Sequence, residues 1–231
     1  MLVKNKNINY PGWELKYFDK AKNFRKYQFN LIKKNIKGNI AEIGPGNGVF
    51  LKYYIKNSKN IYLYEPTFAF YKNLKKNRLK KIRIINKKFK LKKNFFDTIL
   101  YLDVIEHIDN DLKEIKNAYK SLRKGGKLII NVPAYQHLYS QFDKDIDHLR
   151  RYSKSDFIKI LNKLKIYRYQ IIYFDSIGYM LSLLSKIFVK NYRNHFAKKI
   201  KIWNNLMHIS KFFDKILFHC FGKSLLVIIE K

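Results

Sequence analysis

The sequence contains few residues of the kinds that crosslink a chain or anchor it in a membrane. Among 231 residues there is one cysteine, Cys220, so an internal disulfide is excluded and a reducing compartment is indicated. The longest uncharged apolar stretch, 176–185, is far shorter than the roughly 20 residues that a membrane-spanning helix needs. The first residues lack the apolar segment of a signal peptide. We therefore expect a cytoplasmic protein.

Acidic residues are scarce as well. The chain has 49 basic and 17 acidic residues, with a formal net charge of +32. Such a balance usually indicates nucleic acid or an anionic membrane as a partner. Most of the basic residues, however, are lysines spread along the whole chain, whereas nucleic-acid surfaces usually cluster arginine. Nucleic acid is therefore the less favoured partner, and the acidic residues concentrate between positions 97 and 147.

Glycine is also infrequent, with nine residues, but three of them lie within one short turn. The turn consists of Gly44, Pro45, Gly46, Asn47 and Gly48. An apolar run precedes it and apolar residues at helical spacing follow it, which predicts a strand, a tight turn and a helix. Glycine lets a ligand approach the backbone closely, and the amides at the start of the helix face that ligand.

Two carboxylates accompany the turn. Glu42 lies inside the preceding strand, and Glu65 ends a second apolar run about 20 positions later, where Rossmann-type sites bind ribose. A purely structural turn and a dinucleotide site are the alternatives. The turn reads G-x-G-x-G rather than G-x-G-x-x-G, and a preceding carboxylate attracts a cation and repels a pyrophosphate.

The combination of Glu42, the three glycines and Glu65 resembles the first motif of the class I S-adenosylmethionine-dependent methyltransferases. The resemblance implies S-adenosylmethionine as the cofactor, with a sulfonium that suits the carboxylate. The cofactor-binding residues that it implies are Glu42, Gly44, Pro45, Gly46, Asn47, Gly48, Glu65, Pro66, Leu102 and Asp103.

Strands and helices of similar length alternate along the chain, which predicts an α/β protein with a doubly wound, Rossmann-like sheet. We expect an N-terminal helix over 13–36, strands near 40–43, 61–64, 82–85, 96–102, 128–132, 168–174 and 224–229, and helices over 68–80, 111–122 and 154–164. The resemblance implies seven strands with the last one antiparallel. The chain then forms one methyltransferase domain, with an N-terminal helix (1–37), a cofactor-binding core (38–174), a helical insertion (175–222) and a final strand (223–231).

The segment after Leu102 reads Asp103-Val104-Ile105-Glu106-His107. It resembles the D-V-x-E-H motif of small-molecule methyltransferases, and in some relatives an E-x-x-E-H version carries a divalent metal. Asp103 replaces the first glutamate here, so we assign no metal ligand. We predict Glu106 and His107 as catalytic residues, with neutral His107 as a general base on a hydroxyl group; the alternative is that both only orient the loop.

A second polar cluster follows the fifth strand. The residues that we predict to contact substrate are Tyr135, Asp147, His148, Arg150, Arg151 and Tyr152. The cluster resembles a V-P-A…G-H-x-R-R-Y segment of bacterial methyltransferases, with Asp147 in place of the glycine. The arginines can bind a carboxylate or phosphate. The alternative is a structural network in which Asp143 or Asp147 pairs with an arginine.

We therefore expect methylation of a small-molecule or lipid-linked acceptor, with oxygen as the acceptor atom. An RNA substrate is the alternative, and cofactor binding without turnover is a third hypothesis. The insertion 177–222 alternates apolar residues and lysines at helical spacing and leaves the sheet beside the site, so we expect it to roof the cavity. It either packs on the domain or rests as a basic lid on the inner face of an anionic membrane.

Overall fold

The computed structural model describes residues 10–76, 80–188 and 193–231, and within these ranges seven strands form one sheet. They are β1 (Gly38–Ile43), β2 (Ser58–Tyr64), β3 (Ile82–Ile85), β4 (Phe96–Leu102), β5 (Leu122–Pro133), β6 (Tyr169–Phe174) and β7 (Ser224–Glu230). Their order is β3-β2-β1-β4-β5-β7-β6. β1 to β5 pair in parallel, and β7 pairs antiparallel with β5 and β6. The predicted sheet with an antiparallel last strand is confirmed.

Helices cover both faces of this sheet. They are α1 (Leu15–Phe18), α2 (Lys22–Ile32), α3 (Leu51–Tyr54), α4 (Phe68–Leu74), α5 (Asp111–Ser121), α6 (Gln141–Asp145), α7 (Lys154–Lys163), α8 (Ser176–Phe188), α9 (Phe196–Asn205) and α10 (Met207–Ile216). Side chains of a strand alternate between faces. In β4, Ile99 and Tyr101 pack with α5 and α7, while Leu100 packs on the other side with α2 and α3.

The predicted helix over 13–36 is broken. α1 ends at Phe18 and α2 begins at Lys22, with Ala21 between them at φ −78° and ψ 63°, outside the helical region. The break allows the Asp19 carboxylate to accept a hydrogen bond from Nδ2 of Asn47 at 2.7 Å. The helical spacing of apolar residues continues through 19–21, so the sequence pattern alone does not reveal the break. The break accompanies the contact between Asp19 and Asn47 of the glycine turn.

Two other boundaries differ from the prediction. β5 begins at Leu122 instead of near position 128, so Lys124, Gly125 and Gly126 lie inside the strand, where its register against β4 shifts. Gly125 has φ +75°, and a Cβ atom on Gly126 would lie 2.9 Å from a backbone oxygen, so both glycines fit this irregularity. The predicted helix over 68–80 ends at Leu74, and residues 77–79 lie outside the described residues.

The insertion is helical, as predicted, and its described residues form three helices, α8 to α10. In α10 the inward residues include polar Ser210 and Asp214. Asp214 accepts hydrogen bonds from the Tyr27 hydroxyl at 2.8 Å and from the backbone N–H of Asp175 at 2.7 Å. Met207 of this helix is buried with them, whereas Phe212, Phe213 and Ile216 are exposed. No helix among the described residues is long and apolar enough to span a bilayer.

Candidate active site

A cavity of about 970 Å³ opens at the edge of the sheet where β1, β2, β4 and β5 end. Parallel sheets bind ligands outside these carboxyl ends. The glycine turn, the loop after β4 and the segment after α6 all line it, as predicted. Its lining is rich in acids despite the positive net charge of the chain. The carboxylate residues that line it are Glu14, Asp19, Glu42, Glu65, Asp103, Glu106, Asp109, Glu114 and Asp147.

Glu65 joins the end of β2 to the glycine turn. Its Oε2 accepts a hydrogen bond from the Gly46 N–H at 2.9 Å, and its Oε1 accepts one from the Thr67 N–H at 2.8 Å. Burial raises the pKa of the Glu65 carboxyl, and these two amides oppose that effect. The carboxylate is therefore held in place against the turn that the sequence motif predicts to contact the cofactor.

Glu42 is completely enclosed beneath the same turn. Its Oε2 accepts a short hydrogen bond from the Tyr54 hydroxyl of α3. Burial raises the pKa of Glu42 to about 7, although Tyr54 and the charge of Arg25 act in the opposite direction. Near neutral pH this carboxyl group can therefore exist in either protonation state.

The three glycines of the turn have φ values between +55° and +72°, the left-handed region that favours glycine. A Cβ atom on Gly44 would lie 2.8 Å from Val104, and one on Gly48 would lie 2.6 Å from Leu74. Gly44, Pro45, Gly46 and Asn47 line the cavity, whereas Gly48 packs behind it against α4. Gly48 thus shapes the turn, and its predicted contact with a ligand is not supported.

Asp103 stands at the end of β4 with φ +61°. Its Oδ1 accepts a hydrogen bond from Nδ2 of Asn131, and its Oδ2 lies 3.3 Å from Nη1 of Arg25. Leu102 and Pro66 line the cavity beside it, as predicted. Since both oxygens of Asp103 face protein partners, this carboxylate is held in place at the end of β4.

His107 has one ring nitrogen fixed by the backbone. Its Nδ1 lies 3.0 Å from the carbonyl oxygen of Asp147. A carbonyl oxygen can only accept, so Nδ1 carries the proton and Nε2 keeps its lone pair. Burial, reinforced by the nearby His148, lowers the pKa of His107 to about 4. The ring is therefore neutral at physiological pH, as the sequence predicts.

Glu106 is buried next to this histidine. Neither of its carboxylate oxygens has a hydrogen-bond partner among the described residues. Burial raises the pKa of Glu106 well above its usual value, and the charge of Asp103 adds to the effect. A buried carboxyl group without a partner is costly unless it is protonated or binds a cation.

His148 completes the group. Its Nδ1 lies 2.8 Å from Oδ1 of Asp143, and its Nε2 lies 3.7 Å from Oε1 of Glu106. Glu106, His107 and His148 each offer one ligand atom, and these atoms lie within 4.8 Å of one another. A histidine that donates to a carboxylate and turns its other nitrogen inward is the usual arrangement around a metal. These three residues therefore fit a divalent cation, while Asp103 is not one of them.

The two arginines of the second motif are both paired with carboxylates. Arg151 bonds to Asp143 through two nitrogen atoms, at 2.9 and 3.0 Å. Arg150 lies 3.1 Å from Oδ2 of Asp111. Burial alone would raise the pKa of Asp143, but His148 and Arg151 lower it to about 2. The structural network that the sequence left open as an alternative is therefore present, with Asp143 as its centre.

Three residues that we predicted to contact substrate do not line this cavity: Tyr135, Arg150 and Tyr152. Arg150 and the Tyr152 hydroxyl both turn to Asp111 at the start of α5. Tyr135 stacks on Tyr173 with 4.7 Å between ring centres. Tertiary partners direct these side chains away from the cavity, and their contact with substrate stays a prediction. Asp147, His148 and Arg151 do line the cavity.

The structure adds residues that sequence reasoning missed. The N-terminal segment supplies much of the cavity cover, with Tyr10 placed 5.0 Å from the His107 ring and bonded to Glu14. The insertion, which we expected to form the roof, contributes Trp203, and Lys223 follows it. No sequence motif marks these positions. Tyr10 and Trp13 flank Pro11 and Gly12, and this short pattern is the one local feature of the sequence that indicates an ordered segment here.

Comparison with known proteins agrees with this geometry. A family model described as "Methyltransferase domain" matches residues 15–167. Curated proteins give no match. A SAM dependent methyltransferase from Archaeoglobus fulgidus has a TM-score of 0.64 at 15% identity and covers 95% of this chain and 98% of its own. A possible histamine N-methyltransferase from Thermotoga maritima has a TM-score of 0.62 at 15% identity, covering 96% and 95%.

A third similar structure is the Haemonchus contortus phosphoethanolamine N-methyltransferase 2 in complex with S-adenosyl-L-methionine. Its TM-score is 0.62 at 14% identity, covering 89% of this chain and 52% of that one. At such identities the structural matches show the fold, and the family model, which spans more than half of the chain, shows the family. The chain therefore belongs to the methyltransferase-domain family and is a class I S-adenosylmethionine-dependent methyltransferase.

Proposed function

We propose that this methyltransferase transfers the methyl group to an oxygen atom of a small-molecule or lipid-linked acceptor. The observation that carries the proposal is the tautomer of His107. Its Nδ1 proton is donated to the Asp147 carbonyl at 3.0 Å, so its Nε2 lone pair is free to accept a proton from a hydroxyl group. His107 lines the same cavity as the glycine turn.

The cofactor is proposed to lie along the glycine turn. Glu65, held by the Gly46 and Thr67 amides, is placed for the ribose hydroxyls. Glu42 and Asp103 put negative charge near the methionine end, where it stabilises a sulfonium. Lys88 and Phe89 line the cavity beyond β3.

Methyl transfer from a sulfonium needs an in-line nucleophile, and positioning supplies much of the acceleration. In the proposed step the acceptor oxygen forms a bond to the methyl carbon as the carbon–sulfur bond breaks. The hydroxyl proton passes to Nε2 of His107, and S-adenosylhomocysteine leaves as a neutral thioether. His148, fixed by Asp143, holds the neighbouring wall in place.

A divalent cation held by Glu106, His107 and His148 is the alternative for the same cluster. The observation that favours it is the buried Glu106 carboxyl group, whose oxygens lack partners among the described residues. A bound cation would lower the pKa of an acceptor hydroxyl. In that case the nitrogen of His107 would bind the ion instead of the proton.

The charge distribution favours a small acceptor over RNA. Carboxylates line the cavity, and Arg150 and Arg151 are paired with Asp111 and Asp143 instead of facing an incoming phosphate backbone. An RNA strand depends on unpaired basic groups along its path. RNA stays the second candidate because the net charge of the chain is +32.

A lipid-linked acceptor is supported by the outer face of the insertion. Phe212 is 60% exposed and Phe218 is 86% exposed, with the exposed lysines Lys211 and Lys215 beside them. Apolar side chains among lysines suit the headgroup region of an anionic membrane. Such a contact would bring a lipid-linked acceptor to the cavity.

The proposal is tested by incubating the protein with methyl-labelled S-adenosylmethionine and a cell extract that has been separated into small-molecule, lipid and RNA fractions. We expect label in the small-molecule or lipid fraction, in a product that resists mild base as an ether does. Label confined to RNA would select the second candidate. Binding of S-adenosylhomocysteine without any labelled product would support a non-catalytic role.

A further inference from the structure

Lys223 is a basic residue in the wall of the cavity. It immediately precedes β7, and because β7 is antiparallel its first residues meet the last residues of β5. The Ala134 N–H donates to the Lys223 carbonyl oxygen at 2.8 Å. Lys223 lines the cavity together with Trp203 and Arg151.

The ammonium group of this lysine lies over an aromatic ring and has no carboxylate within hydrogen-bond distance. Its Nζ lies 4.8 Å from the centre of the Trp203 ring. Asp175, whose charge acts on it most strongly, accepts hydrogen bonds from the Trp203 indole at 2.8 Å, the Gly178 N–H at 2.9 Å and the Ser210 hydroxyl at 3.1 Å. Within the described ranges, the ammonium group of Lys223 makes no hydrogen bond or ion pair.

The other cations that line the cavity are either paired or exposed. Arg25 is paired with Asp103, and Arg151 with Asp143. Lys88 and Lys113 are exposed on the rim. Among the described cavity-lining cations, Lys223 is thus the one that is partly buried and has no carboxylate within hydrogen-bond distance. Burial lowers the pKa of its ammonium group, and the charge of the more distant Asp175 opposes that effect.

We propose that Lys223 binds an anionic group of the methyl acceptor, a carboxylate or a phosphate. The acceptor is then an anionic molecule whose charged end contacts Lys223 and whose hydroxyl group reaches the His107 region. Trp203 offers the apolar surface against which the adjoining part of the acceptor packs. This inference rests on the proposed methyl transfer to a small-molecule or lipid-linked acceptor and names the chemistry of that acceptor.

The fluorescence of Trp203 reports binding beside Lys223. The chain contains two tryptophans, so replacing Trp13 leaves Trp203 as the one that is observed. With Trp13→Phe as the background, fluorescence of the S-adenosylhomocysteine-saturated protein is titrated with inorganic phosphate and, separately, with acetate. We expect saturable binding of at least one anion. Lys223→Met should weaken it about tenfold or more, the loss of one charge-assisted hydrogen bond. Lys113→Met, at the exposed rim, should leave it unchanged.

An unchanged affinity in Lys223→Met, or no saturable change with either anion, would overturn the inference. If Lys223→Met does not fold, the unaltered chain is labelled with ¹³C at the Cε atoms of its lysines and the anion titration is followed by NMR. The Lys223 signal, identified by its loss in Lys223→Arg, should move saturably as the anion is added. A signal that stays in place would equally overturn the inference.

A second experiment separates this inference from the proposed function. A cell extract is passed over an anion-exchange resin before the reaction with labelled cofactor. We expect the acceptor in the retained, anionic fraction. A labelled product that stays in water would be a free anion, and one that is extracted with the lipids would carry the anion in a headgroup. Label only in the unretained fraction would overturn the inference while leaving methyl transfer intact. No labelled small molecule or lipid in any fraction would overturn the proposed function itself.

Discussion

Arg151 and Asp143 form a two-point ion pair inside the protein, with Nε 2.9 Å from Oδ1 and Nη2 3.0 Å from Oδ2. Both side chains are buried, and His148 contacts the same carboxylate. The Ser140 N–H and hydroxyl also donate to Asp143. The H-x-R-R-Y motif therefore holds the segment after α6 against the cavity, which is how His148 reaches Glu106.

Replacing Arg151 should destabilise the protein more than it weakens acceptor binding. Arg151→Met leaves a buried carboxylate with less compensation, which costs about 3–5 kcal/mol when a buried pair is broken. Arg150→Met breaks the more exposed pair with Asp111 and should cost about 1 kcal/mol or less. Urea unfolding measures both. If Arg151→Met has the stability of the unaltered chain but a raised KM for the acceptor, Arg151 binds substrate, as the sequence predicts.

Glu65→Gln should weaken binding of S-adenosylhomocysteine by about 1–3 kcal/mol, because a charged acceptor of hydrogen bonds is lost. Calorimetry measures the affinity, and NAD should not bind to either protein. Glu230→Gln, at the far end of β7, is the matched control and should bind as the unaltered chain does. Equal affinities for Glu65→Gln and the control would remove Glu65 from the cofactor site.

The raised pKa of Glu42 predicts a specific pH dependence of stability. In the folded protein this carboxyl titrates at about 7 instead of 4.5, so between these values the folded state binds more protons than the unfolded state. The free energy of unfolding should therefore decrease as pH rises from 4.5 to 7, by about 1–3 kcal/mol from this group. Glu42→Gln should remove that part of the slope.

Other buried carboxyl groups, such as Glu14, also have a raised pKa, so the test is the difference between the unaltered chain and the variant. Urea unfolding at pH 5 and pH 7.5 supplies it. If the free energy of unfolding changes by the same amount between these pH values in the unaltered chain and in Glu42→Gln, the pKa of Glu42 lies near its ordinary value.

His107→Ala should lower kcat on the true acceptor by about 10²- to 10⁴-fold, the usual contribution of a general base. The affinity for S-adenosylhomocysteine should stay nearly the same. Activity of the unaltered chain should survive dialysis against a chelator. Activity that disappears on chelation and returns with added Mg²⁺ or Mn²⁺ would instead assign Glu106, His107 and His148 to a metal.

The insertion should bind anionic vesicles at low salt, with binding that falls as salt screens the lysines. Phe212→Ser combined with Phe218→Ser should reduce sedimentation with vesicles, because both rings leave the headgroup region. Phe68→Ser is the control, since Phe68 is 52% exposed on α4, outside the insertion. Equal sedimentation of the two variants would leave the exposed face of α10 without a membrane role.

The sequence by itself determined the order of strands and helices, the glycine turn and the two carboxylates that accompany it. These features are local: apolar runs, glycine spacing and the position of Glu65 after a strand are all visible within a few residues. Ser153 starts α7 because its hydroxyl accepts a hydrogen bond from the Asp156 N–H, a contact three residues along the chain. Short-range chemistry of this kind can be read directly.

Only the tertiary structure decided which side chains meet in the cavity. Arg150 and Arg151 are neighbours in sequence, yet Arg150 turns to Asp111 at the start of α5, and Arg151, which lines the cavity, turns to the buried Asp143 of α6. Lys223 and Tyr10 lie near opposite ends of the chain, and both line the cavity that also contains His107. The physical reason is that the antiparallel pairing of β7 with β5 and the break in the first helix bring the start of β7 and the N-terminal segment to the same edge of the sheet, through contacts that no local pattern encodes.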